Sequence, residues 1–104
     1  MNPPDAPGSV VDAGGESRLV LREGGEVAQL LYEVDGDRLL LIHTEVPESL
    51  GGRGIGARLV RAAVEKAIAQ GLTIVPWCPF ARRWLGAHPD VAAGAAIEWK
   101  AVPR

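Results

Sequence analysis

Four glycines, Gly51, Gly52, Gly54 and Gly56, fall within six residues, and the chain changes its hydrophobic period across them. Upstream, residues 38–46 read as a strand. Downstream, Leu59, Ala63 and Ala67 recur every four residues, as do Val60, Val64 and Ile68. Together they make one apolar stripe on a helix over residues 55–70, with Arg58, Arg61, Glu65 and Lys66 on its other faces. Gly71 stands where a left-handed glycine ends a helix. Residues 72–77 then form a nearly continuous apolar run, the pattern of a strand covered on both faces. Strand, glycine loop, helix and strand make one βαβ unit, whose crossover is right-handed and whose strands are parallel.

The first half carries a different signal. Residues 17–22 and 26–34 read as strands joined by a hairpin turn at Gly24-Gly25. Asp35-Gly36-Asp37 turns the chain again into residues 38–46, so this half is an antiparallel meander. Residues 1–15, with three prolines and three glycines, are expected to be a flexible N-terminal tail. At the other end, Pro79 opens a short helix over residues 80–87. A last helix fits residues 91–96, although Gly94 weakens it. The expectation is an α/β (α+β) fold with about four main strands and two helices. A mixed sheet runs from the meander into one βαβ unit and a short C-terminal helix, with residues 16–104 as a single domain.

Bulk properties exclude several functions. At 104 residues the chain holds one core. A formal charge of −2 creates no global field for nucleic acid or an anionic membrane. The single cysteine, Cys78, excludes an internal disulfide. No apolar run approaches the ~20 residues that span a bilayer. The first residues show neither the basic nor the apolar segment of a secretion signal, so a cytoplasmic location is expected.

The glycine loop suits an anion. Free N–H groups at a helix start attract negative charge, and glycines let a phosphate approach closely. Arg53 adds a charged donor. A P-loop needs Lys and Ser or Thr after its last glycine, whereas Ala57-Arg58 follow Gly56. The dinucleotide fingerprint needs an acidic residue at the end of the next strand, and Val75-Pro76-Trp77-Cys78 stands there instead.

The loop resembles the pyrophosphate loop of the GNAT acyltransferases, Gln/Arg-x-x-Gly-x-Gly/Ala. Gly54 and Gly56 match its last two fixed positions, and Gly51 departs from the first. His43-Thr44-Glu45-Val46-Pro47, Gly52 to Gly56, Pro76-Trp77-Cys78-Pro79-Phe80 and His88-Pro89, in that order, resemble the minimal single-domain, YjdJ-type branch of that superfamily over residues 17–89. The resemblance implies binding of acetyl-CoA or another acyl-CoA, and acyl transfer to an amine acceptor. It implies a pyrophosphate on the amides of Arg53, Gly54, Ile55, Gly56 and Ala57, with Gly51 and Gly52 in the same cofactor-anchoring loop. The pantetheine arm would pair with the backbone near Thr44 and Val46. A non-catalytic coenzyme A sensor or interaction module is the second reading, because long N-terminal helices that would build an acceptor site are lacking.

Three residues carry the candidate chemistry. Cys78, between a buried strand and a helix start, would feel the positive end of the helix dipole. By resemblance it lies near the thioester as a nucleophile or a neighbour. A small buried hydrophobe is the plainer role. Strand alternation puts His43 and Glu45 on the face of Leu39 and Leu41, pointing into the cleft. There His43 would act as a base near neutral pH. Glu45 would orient it, bind the amine, or act as the base through water. His88 reads as a helix-end residue. Phe80, Trp77, Trp84 and Trp99 read as core or cleft walls, and Arg58, Arg61, Arg82 and Arg83 as solvated helix faces. His43, Cys78 and His88 lack the tight spacing of a metal site.

Overall fold

The computed structural model describes residues 9–100. Five strands lie in sequence order across one sheet: β1 (Val10–Ala13), β2 (Arg18–Glu23), β3 (Glu26–Asp35), β4 (Arg38–Glu45) and β5 (Thr73–Pro76). The first four are antiparallel neighbours, and β5 joins β4 in parallel. Between β4 and β5 the chain forms a 3₁₀ turn, Glu48–Leu50, and helix α1 (Ile55–Gln70). Helices α2 (Pro79–Ala87) and α3 (Pro89–Ala92) follow β5. The mixed sheet and its βαβ crossover match the expected fold, with one strand more.

The core lies between the helices and one face of the sheet. Leu59, Val60, Ala63, Val64 and Ala67 of α1 pack against Leu19, Leu21, Ala28, Leu30, Leu39 and Leu41. Each such fully buried leucine contributes about 1.5–3 kcal/mol of apolar transfer. Gly71, at φ +66°, ends α1 as the sequence suggests, taking its amide hydrogen bond back to the last turn. Both glycines of the β2–β3 turn have positive φ, which matches the twist of a tight hairpin.

Two expectations need correction. Residues 10–13 are not tail. They form β1, which pairs with β2 from Val10↔Leu21 to Ala13↔Arg18. Asp12 also accepts hydrogen bonds from the Tyr32 hydroxyl at 2.5 Å and from Lys66 Nζ at 2.7 Å, which tie β1 to β3 and α1. Residues 1–8 lie outside the described residues. The last helix spans Pro89–Ala92 rather than residues 91–96. Proline at its first position pre-sets φ and needs no hydrogen bond there. Beyond it the chain turns outward to serve the free edge of β5. Ile74 N donates to Ala96 O, and Glu98 N donates to Ile74 O, each at 2.8 Å. An ion pair between Arg38 and Glu98 closes this clasp.

One irregularity decides the site. The β3–β4 register pairs Tyr32 with Leu41 but Leu31 with His43, so Ile42 is an extra, bulged residue. A bulge moves every later side chain of its strand to the opposite face from the one simple alternation assigns.

Candidate active site

The glycine loop opens α1 without any side-chain cap. Its N-cap, Gly54, sits at φ +70°, and Gly52 at φ +79°. Both are left-handed conformations that cost an L-residue about 1–2 kcal/mol. The first intrahelical bond runs from Arg58 N to Gly54 O. The amides of Ile55, Gly56 and Ala57 therefore have no partner further back in the helix and carry the positive end of its dipole. The first turn holds no acidic side chain to oppose an anion.

These amides face an apolar cleft of about 510 Å³. Thr44 and Val46 line one end, Gly51, Gly52 and Gly54 to Ala57 the loop side, and Leu50 and Phe80 the floor, with Trp84 as a wall. Arg53 does not line it. Its guanidinium reaches outward to Glu23, with Nη1 3.6 Å from Oε2, and its side chain is more than half exposed. Gly51 has its own local reason to lack a side chain, since a Cβ there would stand 3.1 Å from the Glu48 carbonyl oxygen. Gly56 is small because of Phe80, whose ring tip lies 2.7 Å from where its Cβ would be.

At the inner end the two parallel strands separate. The β4–β5 ladder stops at Leu41↔Pro76, extended by one bond from Cys78 N to Leu41 O at 2.8 Å. Strand β4 continues to Glu45, paired only with β3. Its other backbone edge is open at the cleft, the arrangement in which an extended ligand can add hydrogen bonds. Cys78, just before α2, is 2% exposed and lies behind the wall. Its Sγ is 3.2 Å from Thr44 Oγ1.

The bulge at Ile42 places the other candidates. Thr44 pairs with core-facing Leu30 and so faces the helices. His43 pairs with Leu31, and Glu45 with Gln29, on the opposite face. The expectation that His43 and Glu45 share the face of Leu39 and Leu41 is thus overturned. Their side chains are 57% and 52% exposed, with Nε2 and Oε1 3.7 Å apart. They flank the strand gap from the far side of the sheet, while Thr44 flanks it from the cleft side.

Comparison with known proteins decides the family. The family model for GCN5-related N-acetyltransferases matches residues 18–93. The chain belongs to the GCN5-related N-acetyltransferase family. A solution structure of a GCN5-like protein from Staphylococcus aureus superposes with a TM-score of 0.67, at 27% identity, over 91% of this chain and 95% of that one. Protein NATD1 of Gallus gallus and of Homo sapiens are each 36% identical over 63 residues. That stretch is 60% of this chain but only 57% and 56% of those relatives, less than two thirds of their length.

The family's expected contacts can be set against this cleft. Thr44, Val46, Gly51, Gly52, Gly54, Ile55, Gly56 and Ala57 all line it, and Arg53 alone among the expected cofactor residues stands outside. Leu50 was not singled out by sequence reasoning, yet it is 4% exposed and part of the floor. Its signal is a lone apolar residue within the polar segment from Pro47 to Gly54. Trp84 serves as a cleft wall, stacked on His88 at 4.0 Å and covered by the Arg61 guanidinium at 5.2 Å. Arg82 is tied to the clasp, where its Nη1 donates to Trp99 O at 2.6 Å.

Proposed function

We propose that this chain binds acetyl-CoA in the cleft and transfers the acetyl group to an amine. The uncapped amides at the start of α1, opening onto an apolar cleft, carry this reading. The pyrophosphate would lie on the amides of residues 53–57, where backbone N–H groups and the helix dipole favour negative charge. The pantetheine arm would run along the open edge of β4 at Thr44 to Val46. Its thioester would then reach the gap past Leu41 and Pro76.

An amine would enter from the opposite face of the sheet. There the His43 imidazole would accept its proton, and the neighbouring Glu45 carboxylate would stabilise the charge formed. Cys78 contacts the thioester end only through Thr44, because its thiol is covered. Residues 16–104 with β1 added would act as one domain. No described helix is long and apolar enough to cross a membrane. A cytoplasmic location, which keeps a free cysteine reduced, suits the free Cys78.

Calorimetric titration with acetyl-CoA, with NAD and ATP as controls, tests the reading. Saturable binding of acetyl-CoA alone is expected. Equal binding of NAD, or no binding, would overturn it. Binding without acetylation of any amine in a panel would leave a coenzyme A-binding module instead of an enzyme.

A further inference from the structure

The Thr44 hydroxyl stands between the cleft, which it lines, and the buried Cys78 thiol, 3.2 Å away. The bulge at Ile42 puts it there, since unbroken alternation would turn Thr44 to the open face. Cys78 is 2% exposed, so the hydroxyl and not the thiol meets whatever occupies the inner cleft.

The donor order follows from the two groups. A thiol is a weak donor and its sulfur a weak acceptor, whereas a hydroxyl gives one proton and accepts on two lone pairs. The Thr44 proton gains more on a carbonyl oxygen in the cleft than on sulfur. The buried S–H then satisfies itself on Thr44 Oγ1. The resulting chain runs from Cys78 Sγ–H to Thr44 Oγ1 and from Thr44 O–H to the acyl oxygen.

We propose that Thr44 polarises the acyl carbonyl, and that Cys78 is a positioning residue that orients the Thr44 hydroxyl and is never acylated. This rests on the acetyl-CoA reading above. The amine nitrogen attacks the carbonyl carbon, and the C=O π pair moves onto oxygen. The Thr44 O–H holds that oxyanion. Its collapse restores the carbonyl, breaks the C–S bond and releases coenzyme A as thiolate. The thiolate takes up the proton that the amine gave up by way of His43. Cys78 keeps its proton throughout. Removing one such oxyanion donor typically slows acyl transfer by about 10²–10³-fold.

The test is infrared difference spectroscopy of bound acetyl-CoA, isotope-labelled at the acyl carbonyl, with calorimetry of the same samples. In the parent the carbonyl band should lie below its position in free acetyl-CoA. Thr44→Val, close in shape, should return the band toward the free position while binding persists. Thr44→Ser and Cys78→Ser should keep the lowered band. Cys78→Ala should return it part-way, because the hydroxyl loses the group that orients it. A band that Thr44→Val leaves unchanged overturns the assignment. So does an acetyl-sized mass gain on Cys78 in the parent. If the parent binds acetyl-CoA with an unshifted band, only the role of Thr44 falls. If the parent does not bind at all, the cofactor reading falls and takes this one with it.

Discussion

The tip of the Phe80 ring occupies the space that a side chain on Gly56 would need, with Cζ 2.7 Å and Cε2 2.9 Å from the missing Cβ. Phe80 belongs to α2 and Gly56 to the first turn of α1, so this contact sets how closely the two helices approach at the cleft. Gly54 differs. Nothing lies within 4 Å of its Cβ position, and its φ of +70° alone argues for glycine.

Gly56→Ala is therefore expected to destabilise the fold, although alanine is the better helix former. Overpacking of this kind costs about 1–3 kcal/mol, against a propensity gain of up to about 1 kcal/mol. Thermal unfolding should show a lower midpoint, and calorimetry weaker acetyl-CoA binding. Adding Phe80→Leu should recover part of both. A midpoint equal to the parent's would show that the ring turns aside freely.

Tyr32 gives a stability loss confined to high pH. Burial, with the hydrogen bond to Asp12 and the charge of Asp12 behind it, pushes its phenol up to about 12. A raised folded pKa stabilises below the unfolded value of about 10. That stability disappears as pH rises through about 12, because the unfolded chain then ionises more readily. The loss should amount to about 2–3 kcal/mol, at about 1.4 kcal/mol per pKa unit. Denaturant titrations across that window should show it in the parent and not in Tyr32→Phe.

Leu50 couples stability to the cleft. It is 4% exposed in a short 3₁₀ turn, and it packs into the core while flooring the cleft. Leu50→Ala should cost about 2–5 kcal/mol, the usual range for a buried leucine. It should also weaken acetyl-CoA binding in calorimetry. Unchanged affinity in a folded variant would detach the turn from the binding site.

His43→Gln tests the proposed proton acceptor apart from cofactor binding. His43 stands on the face of the sheet opposite the cleft, so acetyl-CoA affinity should stay at the parent value. Acetyl transfer to an amine should slow by about 10²–10⁴-fold, the usual worth of a positioned base. A rate equal to the parent's would remove His43 from the reaction.

Much of the architecture is legible one segment at a time. The helix over Ile55–Gln70, the turns at Gly24-Gly25 and Gly36, and the proline start of α2 all stand where the sequence predicts. Strand β1 does not, because four residues in a segment rich in glycine and proline carry too little alternation. Its reason to order lies in Leu21, Tyr32 and Lys66, distant in sequence. The same holds for the clasp by residues 96–98, which answers the unpaired edge of β5 and not any local preference.

By itself the sequence determined the glycine loop, its helix and the crossover. These depend on left-handed glycines, on capping and on side-chain period, all settled within a few residues along the chain. Only the tertiary structure decided which side chains enter the cleft. The bulge at Ile42 is a matter of how β4 registers against β3, and that register exchanges His43 for Thr44 on the helix side. Once Thr44 faces inward it meets Cys78, 34 positions away, at the gap where β4 and β5 part. No local pattern encodes such a meeting, since it exists only when both strands have found their partners.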